Sequence, residues 1–220
     1  MSVVKLKNKR LFFPALFEAK AFKDSRTFSA TLGIEPGSAD HKAIEAAIKE
    51  VADAKYGKTA DRRIAAFRPV PQQFPYRDGN TVTWEGAEGL MIIKGSKQEK
   101  TGAPLVLSNV RYSGDQVPEF RGKFIELHDE KGTCYGRDKD NKLVVLDDVM
   151  DEITVPYSGC FVNASIEFWA QDGDNAGIRC SLRGVQFFAD GDSFAGGSKA
   201  KADEFDDFDS GDGADADNLV

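Results

Sequence analysis

Gly159-Cys160-Phe161-Val162-Asn163-Ala164-Ser165-Ile166-Glu167-Phe168-Trp169-Ala170 alternates with a period of two. Successive side chains of an extended chain point to opposite faces. Cys160, Val162, Ala164, Ile166 and Phe168 therefore share one apolar face, and Phe161, Asn163, Ser165, Glu167 and Trp169 share the other. The first face reads as core. The second is polar apart from two large aromatics, and reads either as packing under a loop or as a wet aromatic platform. The same strand character recurs outward from this stretch, at 11–17, 26–34, 81–84, 90–94, 105–112, 123–127, 143–146 and 178–188. These runs are short, rich in β-branched and aromatic residues, and bounded by Gly, Pro, Asn and Asp.

One segment breaks the rhythm. After Glu35-Pro36-Gly37, Ser38 or Asp40 can cap a helix on which Ala43, Ile44, Ala47, Ile48, Val51 and Tyr56 recur at helical spacing, ending at Gly57. Thr59 can cap a second short helix through Phe67, beyond which Pro69, Pro71 and Pro75 forbid regular helix. The pattern predicts a mainly β domain with a helical insertion at about 38–67. Without βαβ alternation a parallel doubly wound sheet is disfavoured, and a small closed or partly closed barrel fits better, the OB-fold being the natural candidate.

A chain of 220 residues, 41% hydrophobic, most simply builds one core with an appendage. The net charge of −7 is unevenly placed. From Asp190 onward ten acids face only Lys199 and Lys201, a balance of −8, so residues 1–189 sum to +1. The expected division is a barrel at 1–189 and a disordered acidic tail at 190–220, where too little apolar surface remains to offset ordering entropy. Cys134, Cys160 and Cys180 are odd in number and lack a C-x-x-C pair, which supports neither a disulfide framework nor a zinc site and suits a reducing cytoplasm. Lys5 to Arg10 followed by Leu11-Phe12-Phe13-Pro14-Ala15-Leu16-Phe17 superficially copies a secretory leader, but the apolar run is interrupted by proline and meets Glu18 without a cleavage site. No stretch approaches the ~20 apolar residues that span a bilayer. No membrane association is expected, and the expected location is the cytoplasm.

Catalytic signatures are missing: there is no G-x-x-x-x-G-K-[ST], G-x-S-x-G or H-E-x-x-H, and His41 and His128 have no second ligand at metal spacing. Asp138-Lys139-Asp140-Asn141 and Asp172-Gly173-Asp174-Asn175 resemble the start of a calcium loop, but Lys142 and Arg183 stand where further oxygens belong, and both read as turns. No cofactor, metal or catalytic residue is expected. Two competing classes stay open, a metal-dependent nucleic-acid-processing enzyme with acids gathered from distant segments and a virion structural protein.

Binding has more support. Single strands are held by cations that track phosphates and by rings on which bases stack. The chain interleaves the two types: Arg62 and Arg63, then Tyr76, Arg77 and Trp84, then Lys94, Lys97, Lys100, Arg111 and Tyr112, to which the polar-face Phe161 and Trp169 add. The basic segment 94–102 lies between two strand-like runs and can form a hairpin loop of the kind that flanks an OB-fold groove. The tail carries Phe205 and Phe208 among Asp206, Asp207 and Asp209, a set suited to docking on a partner. A flexible tail of 31 residues spans roughly 30 Å, against a radius of gyration of roughly 16 Å for the body. It can fold back and compete with nucleic acid as a tethered polyanion.

Phe13-Pro14-Ala15-Leu16-Phe17, Tyr76-Arg77-Asp78-Gly79, Tyr157-Ser158-Gly159-Cys160-Phe161-Val162-Asn163-Ala164, and Gly177-Ile178 through Gly184-Val185-Gln186-Phe187-Phe188, in that order and followed by a glycine-rich link and acidic tail, resemble the OB-fold single-stranded DNA-binding proteins of tailed bacteriophages. The resemblance covers nearly the whole chain. It implies sequence-tolerant binding of single-stranded DNA in phage replication and recombination, inside the bacterial host cell, with no cofactor. It also implies a tail that contacts replication enzymes such as a polymerase or helicase; whether the protein works as a monomer or dimer stays open. Tails of such proteins commonly end in an aromatic residue, whereas this one closes on Asn218-Leu219-Val220, so Phe205 or Phe208 would take that part.

Overall fold

The computed structural model describes residues 1–22 and 25–194. β1 (Ser2–Phe22) is the element from which the fold grows. Its first half pairs antiparallel with β9 (Phe161–Gln171), and its second half pairs with β2 (Ser25–Ile34). One strand serves two neighbours because it bends: register shifts fall between Leu6 and Lys9, between Phe12 and Ala15, and between Ala15 and Lys20, and Asn8 and Phe13 adopt φ of 52° and 45°. Bulges of this kind add local twist and turn a sheet into a barrel.

Next in the chain come α1 (Ala39–Tyr56), α2 (Ala60–Phe67), β3 (Tyr76–Asp78), β4 (Met91–Gln98), β5 (Leu105–Arg111), β6 (Phe124–Leu127), β7 (Cys134–Arg137) and β8 (Leu143–Val145), and β9 is followed by β10 (Gly177–Ala189). Among the described residues the strands form one sheet in the order β3-β4-β2-β1-β9-β10-β5-β6-β7-β8. β4 also meets β10 in parallel at Ser96 and Ser181, which closes β1, β2, β4, β10 and β9 into a five-stranded barrel. This is the OB-fold expected from the sequence. The period-two reading of β9 holds residue by residue: Cys160, Val162, Ala164, Ile166 and Phe168 are buried inside the barrel with Leu6, Leu11, Leu32 and Ile93.

Ser38 caps α1 by accepting the His41 N–H at 3.1 Å, and Gly57 ends it at φ 53°. Ile44, Ala47, Ile48, Val51, Ala52 and Tyr56 are buried, which packs the helix onto the barrel; the Tyr56 hydroxyl donates to the Gln171 carbonyl at 2.5 Å, at the far end of β9. α2 follows after a 3-10 turn at Gly57–Thr59 and buries Ala60 and Phe67.

Two expectations need correction. The run 81–84 is not a strand: after a 3-10 turn at Gly79–Thr81 it is loop, and its apolar Val82 and Trp84 pack on a second small cluster around Phe12, Ala87 and Ile92. The segment 94–102 is not a hairpin loop either. β4 continues to Gln98, and β5 crosses over to pair in parallel with β10. Lys94 and Lys97 therefore sit in a strand, and only the connection that begins with the 3-10 turn Glu99–Thr101 is loop. Gly184 lets this crossover approach, since a Cβ there would lie 2.8 Å from the Leu105 carbonyl oxygen. β3 and β7, at three and four residues, are too short for a periodic signal.

β5 to β8 extend the sheet past the barrel edge. Beneath them Val106, Val117, Phe120, Ile125, Leu127 and Leu146 form a core continuous with that of the barrel. Two polar anchors hold the extension. The Tyr112 hydroxyl donates to Asp148 and accepts the Val117 N–H at 3.1 Å. Backbone N–H donation from Gln116, together with the Tyr112 hydroxyl, holds the Asp148 carboxyl below its ordinary pKa. In the second anchor Arg137 forks onto Glu126 through Nε at 2.6 Å and Nη2 at 2.9 Å, and His128 Nε2 lies 3.1 Å from the same carboxylate.

Burial alone would raise the Glu126 pKa, but the hydrogen bonds from Arg137 and His128 outweigh it and lower the value from 4.5. A carboxyl whose folded pKa is depressed stabilises the fold above its unfolded pKa and loses that contribution as pH falls through the folded value. Stability measured by urea denaturation should therefore decline as pH drops below 4.5. Glu126→Gln should flatten that part of the profile; an unchanged profile would count against this anchor.

Candidate nucleic-acid interface

The outer face of the barrel at β1, β2 and β4 is where OB-folds take oligonucleotides. Because the side chains of β1 alternate, Leu11 points inward opposite Leu32, and Phe12 points outward opposite Thr31. Lys94 stands on the same outer pleat, also opposite Thr31 on the other side of β2. The loop between β3 and β4 lies over Phe12 and leaves it fully buried.

Around Phe12 runs a ladder of rings and guanidinium groups. The Phe194 ring stacks on Phe12 at 5.1 Å and 8° between planes. Arg10 lies between Phe194 and Phe161, 4.6 and 5.0 Å from their centroids. On the other side Trp84 sits 6.4 Å from Phe12, Phe13 meets Trp84 edge-on at 5.0 Å, and Arg77 lies over the Trp84 ring at 5.6 Å. Cation–π contacts of this kind are worth about 0.5–2 kcal/mol each, depending on desolvation. Phe13 is exposed and held at φ 45° while its N–H is taken by Ser158 Oγ at 3.1 Å.

The chain arrives at this ladder a second time through residues 190–194. The Gly191 N–H donates to the Tyr157 hydroxyl at 3.0 Å, Arg10 Nη2 donates to the Asp192 carbonyl at 2.9 Å, and the Phe194 N–H donates to the Ser158 carbonyl at 3.2 Å. Gly86, at φ 73°, makes room: a Cβ there would lie 2.7 Å from the Phe194 ring. Arg10 Nε is buried without a hydrogen-bond partner among the described residues, and the ring contacts, the bond from Nη2 and the Asp192 carboxylate 4.0 Å away hold the guanidinium.

Of the residues singled out in the sequence, Arg77, Trp84, Lys94 and Phe161 come together here. Others do not. Tyr76 is buried, its hydroxyl 2.7 Å from His41 Nδ1, and burial raises its pKa. Tyr112 is buried on Asp148. Both are core residues and offer no stacking platform. Arg63 pairs with Asp172 at 3.5 Å and covers Tyr56 at 5.1 Å, beside the Gln171 end of β9, roughly 33 Å along the strand from Phe161. Arg62 is exposed on the same helix. Trp169 is half-buried toward that end too, its Nε1 donating to Ser181 Oγ at 3.1 Å. Lys97 Nζ donates to the Ala103 carbonyl at 2.9 Å, Lys100 is exposed in the turn that follows β4, and Arg111 lies on β5 over Phe124. Phe205, Phe208, Asp206, Asp207 and Asp209 lie outside the described residues.

Arg10, Phe12, Phe13 and Phe194 were not singled out. The available signal was Phe12-Phe13-Pro14: two adjacent rings in a strand must face opposite ways, and a following proline marks a bulge. Among the described residues no group of three or more His, Cys, Asp or Glu could hold a metal ion. Asp138 instead accepts the N–H groups of Asp140 and Lys142, as a turn residue does. No helix among the described residues is long and apolar enough to cross a membrane.

A closed OB barrel with a cation–aromatic ladder on its outer face defines a ligand-binding module. Residues 134–219 match the family model described as Enterobacter phage Enc34, ssDNA-binding protein. A relative called putative protein p50, from Acyrthosiphon pisum secondary endosymbiont phage 1, is 32% identical over 208 residues, 93% of this chain and 92% of the relative. The chain belongs to this family of phage single-stranded DNA-binding proteins, a family of binders rather than catalysts. The fold agrees: the single-stranded DNA-binding protein from bacteriophage Enc34, in complex with ssDNA, superposes with a TM-score of 0.57 at 20% identity, covering 88% of this chain and 89% of the other. Its C-terminal truncation gives 0.55 at 21%, with 87% and 88% covered.

Proposed function

We propose that this chain coats single-stranded DNA with little sequence preference during phage DNA replication and recombination, with the barrel ladder as the contact surface. The observation that carries the reading is that Arg77 over Trp84, the exposed Phe13 at the Trp84 edge, and Arg10 against Phe161 are held together around the buried Phe12 on the face that OB-folds use, because flat rings stack on any base and guanidinium groups answer any phosphate. Lys94 on the adjoining pleat extends the cationic side, and family membership and the ssDNA complex of the Enc34 protein support the same ligand. A poly-dT oligonucleotide at low salt should be retarded on a gel, with affinity falling by ~0.7 log units per log unit of salt for each phosphate neutralised. No retardation would overturn the reading. Trp84→Ala should weaken binding about 5- to 150-fold, as losing one stacked base at ~1–3 kcal/mol implies.

The acidic tail regulates access in this reading and contacts replication enzymes such as a polymerase or helicase through Phe205, Phe208 and the acids between and beside them. Support comes from its first residues, since Phe194 lies on Phe12 and Asp192 beside Arg10, a ring and a carboxylate where a base and a phosphate would go. Removing 190–220 should tighten binding of dT oligonucleotides at low salt. Removing only 195–220 should tighten it less, since the Phe194 ring stays in place. Equal affinity of all three forms would reduce the tail to a solubility device.

A further inference from the structure

The sheet beyond the barrel presents a second surface that the ladder does not use. By register Asn163, Gln186, Leu107, Glu126, Tyr135 and Val145 form one row across β9, β10, β5, β6, β7 and β8, so the outer face continues without a break from the barrel to the extension. Asn163 donates to Gln186 at 3.0 Å and Gln186 to the Ser108 carbonyl at 3.3 Å, which ties the row together across the seam. The same face holds the exposed apolar side chains Leu105 on β5 and Leu143 and Val145 on β8, at 41–44% of full exposure. Next to this row is a groove of about 400 Å³ lined by Leu107, Arg111, Lys123, Phe124, Glu126 and Arg137 among others.

The Arg111 Cζ lies over the Phe124 ring, 3.9 Å from its centroid, and the guanidinium donates to the Gly122 carbonyl, so a planar cation is fixed against an aromatic ring. Lys123 lies 5.6 Å from the Phe120 ring at the same groove. Glu126 is neutralised by the fork from Arg137, and the Asp138 carboxylate is engaged by backbone N–H groups. The balance left toward a ligand is cationic and flat. From Asn163 to Tyr135 the row crosses four strand spacings, about 19 Å. A strand leaving the ladder at Phe161 meets the polar amides of Asn163 and Gln186 and then this groove at Leu107 and Glu126, with Leu143 and Val145 beyond it on β8.

We propose that the β5–β7 groove is a second subsite for the same single strand, in which a base stacks on the Arg111 guanidinium and Lys123 takes a phosphate. The proposal rests on the reading of the barrel ladder as a DNA surface. Its test separates the two by length. OB-folds occlude roughly 4–16 nucleotides, so full-length protein is titrated with labelled dT oligonucleotides of about 5 and about 20 nucleotides. Arg111→Ala with Lys123→Ala should weaken the longer one at least tenfold and leave the shorter one within twofold. Lys123→Ala alone should lower the salt slope for the longer oligonucleotide by ~0.7. Arg111→Lys keeps the charge and should restore only part of the affinity, because the flat face is gone. Unchanged affinity for the longer oligonucleotide overturns the subsite, and so does an altered elution from a sizing column with DNA binding intact, which would assign the face to protein contacts. An equal loss for both lengths also overturns it, since the groove would then act only through the fold. If the wild-type chain binds neither length, the barrel reading falls as well.

Discussion

Phe12→Ala is expected to destabilise the protein by about 3–5 kcal/mol, the range for removing a buried phenylalanine from a packed site. The ring is fully buried although it lies outside the barrel, because Ala87, Ile92, Trp84, Leu90 and Phe194 close over it. The lower end of the range applies, since these neighbours come from a loop and a chain end that can settle into the space. The functional consequence is separate: Trp84 and Phe194 both rest on this ring, so its loss loosens the ladder at its centre. Urea denaturation gives the first quantity and oligonucleotide titration of the still-folded fraction gives the second. Phe12→Leu should recover much of the stability, but less of the binding, because it restores volume without a stacking plane. A Phe12→Ala protein as stable as the parent would show that the outer cluster contributes no packing energy.

Arg137→Ala is expected to cost about 3 kcal/mol, near the lower end for breaking a buried ion pair. The penalty arises from what is left behind: Glu126 is 6% exposed and loses both forked hydrogen bonds at once. Its remaining side-chain partner, His128 Nε2 at 3.1 Å, supplies one contact where the Arg137 fork supplied two. Replacing both partners, Glu126→Leu with Arg137→Met, should be far milder than the single change, since no charge is then stranded. Thermal unfolding of the single and double variants checks this ordering; a double variant less stable than Arg137→Ala would refute it. Because Arg137 also lines the groove beside Arg111, the single variant should weaken binding of the longer oligonucleotide as well.

The behaviour of individual residues shows where local sequence stops being informative. Tyr76 and Tyr112 read as stacking candidates because each follows or accompanies an arginine, yet both are core. A tyrosine has an apolar body and a polar tip and suits either place. What decided the matter was a distant partner for each hydroxyl, His41 for one and Asp148 for the other. Arg77 and Trp84 did meet on the outer face, but through a loop that the sequence had suggested to be a strand. The apolar residues of that loop alternate like a strand because alternate side chains pack on the barrel, not because the backbone pairs.

The sequence by itself determined what depends on near neighbours in the chain. The alternation of 160–168 assigned the buried side chains Val162, Ala164, Ile166 and Phe168 of β9, because a two-residue period is a property of extended backbone. Gly57 and a cap at Ser38 or Asp40 bounded α1 for the same kind of local reason, a residue tolerant of positive φ and an oxygen for an open N–H, and the structure chose Ser38. Tertiary structure alone decided the parallel seam between Ser96 and Ser181, the crossover that carries β5 to β10, and the gathering of Arg10, Phe12, Arg77, Trp84, Phe161 and Phe194 into one ladder. Strand pairing and ring stacking act between groups brought close in space, and no periodicity within a short segment records which distant segment will supply the other half.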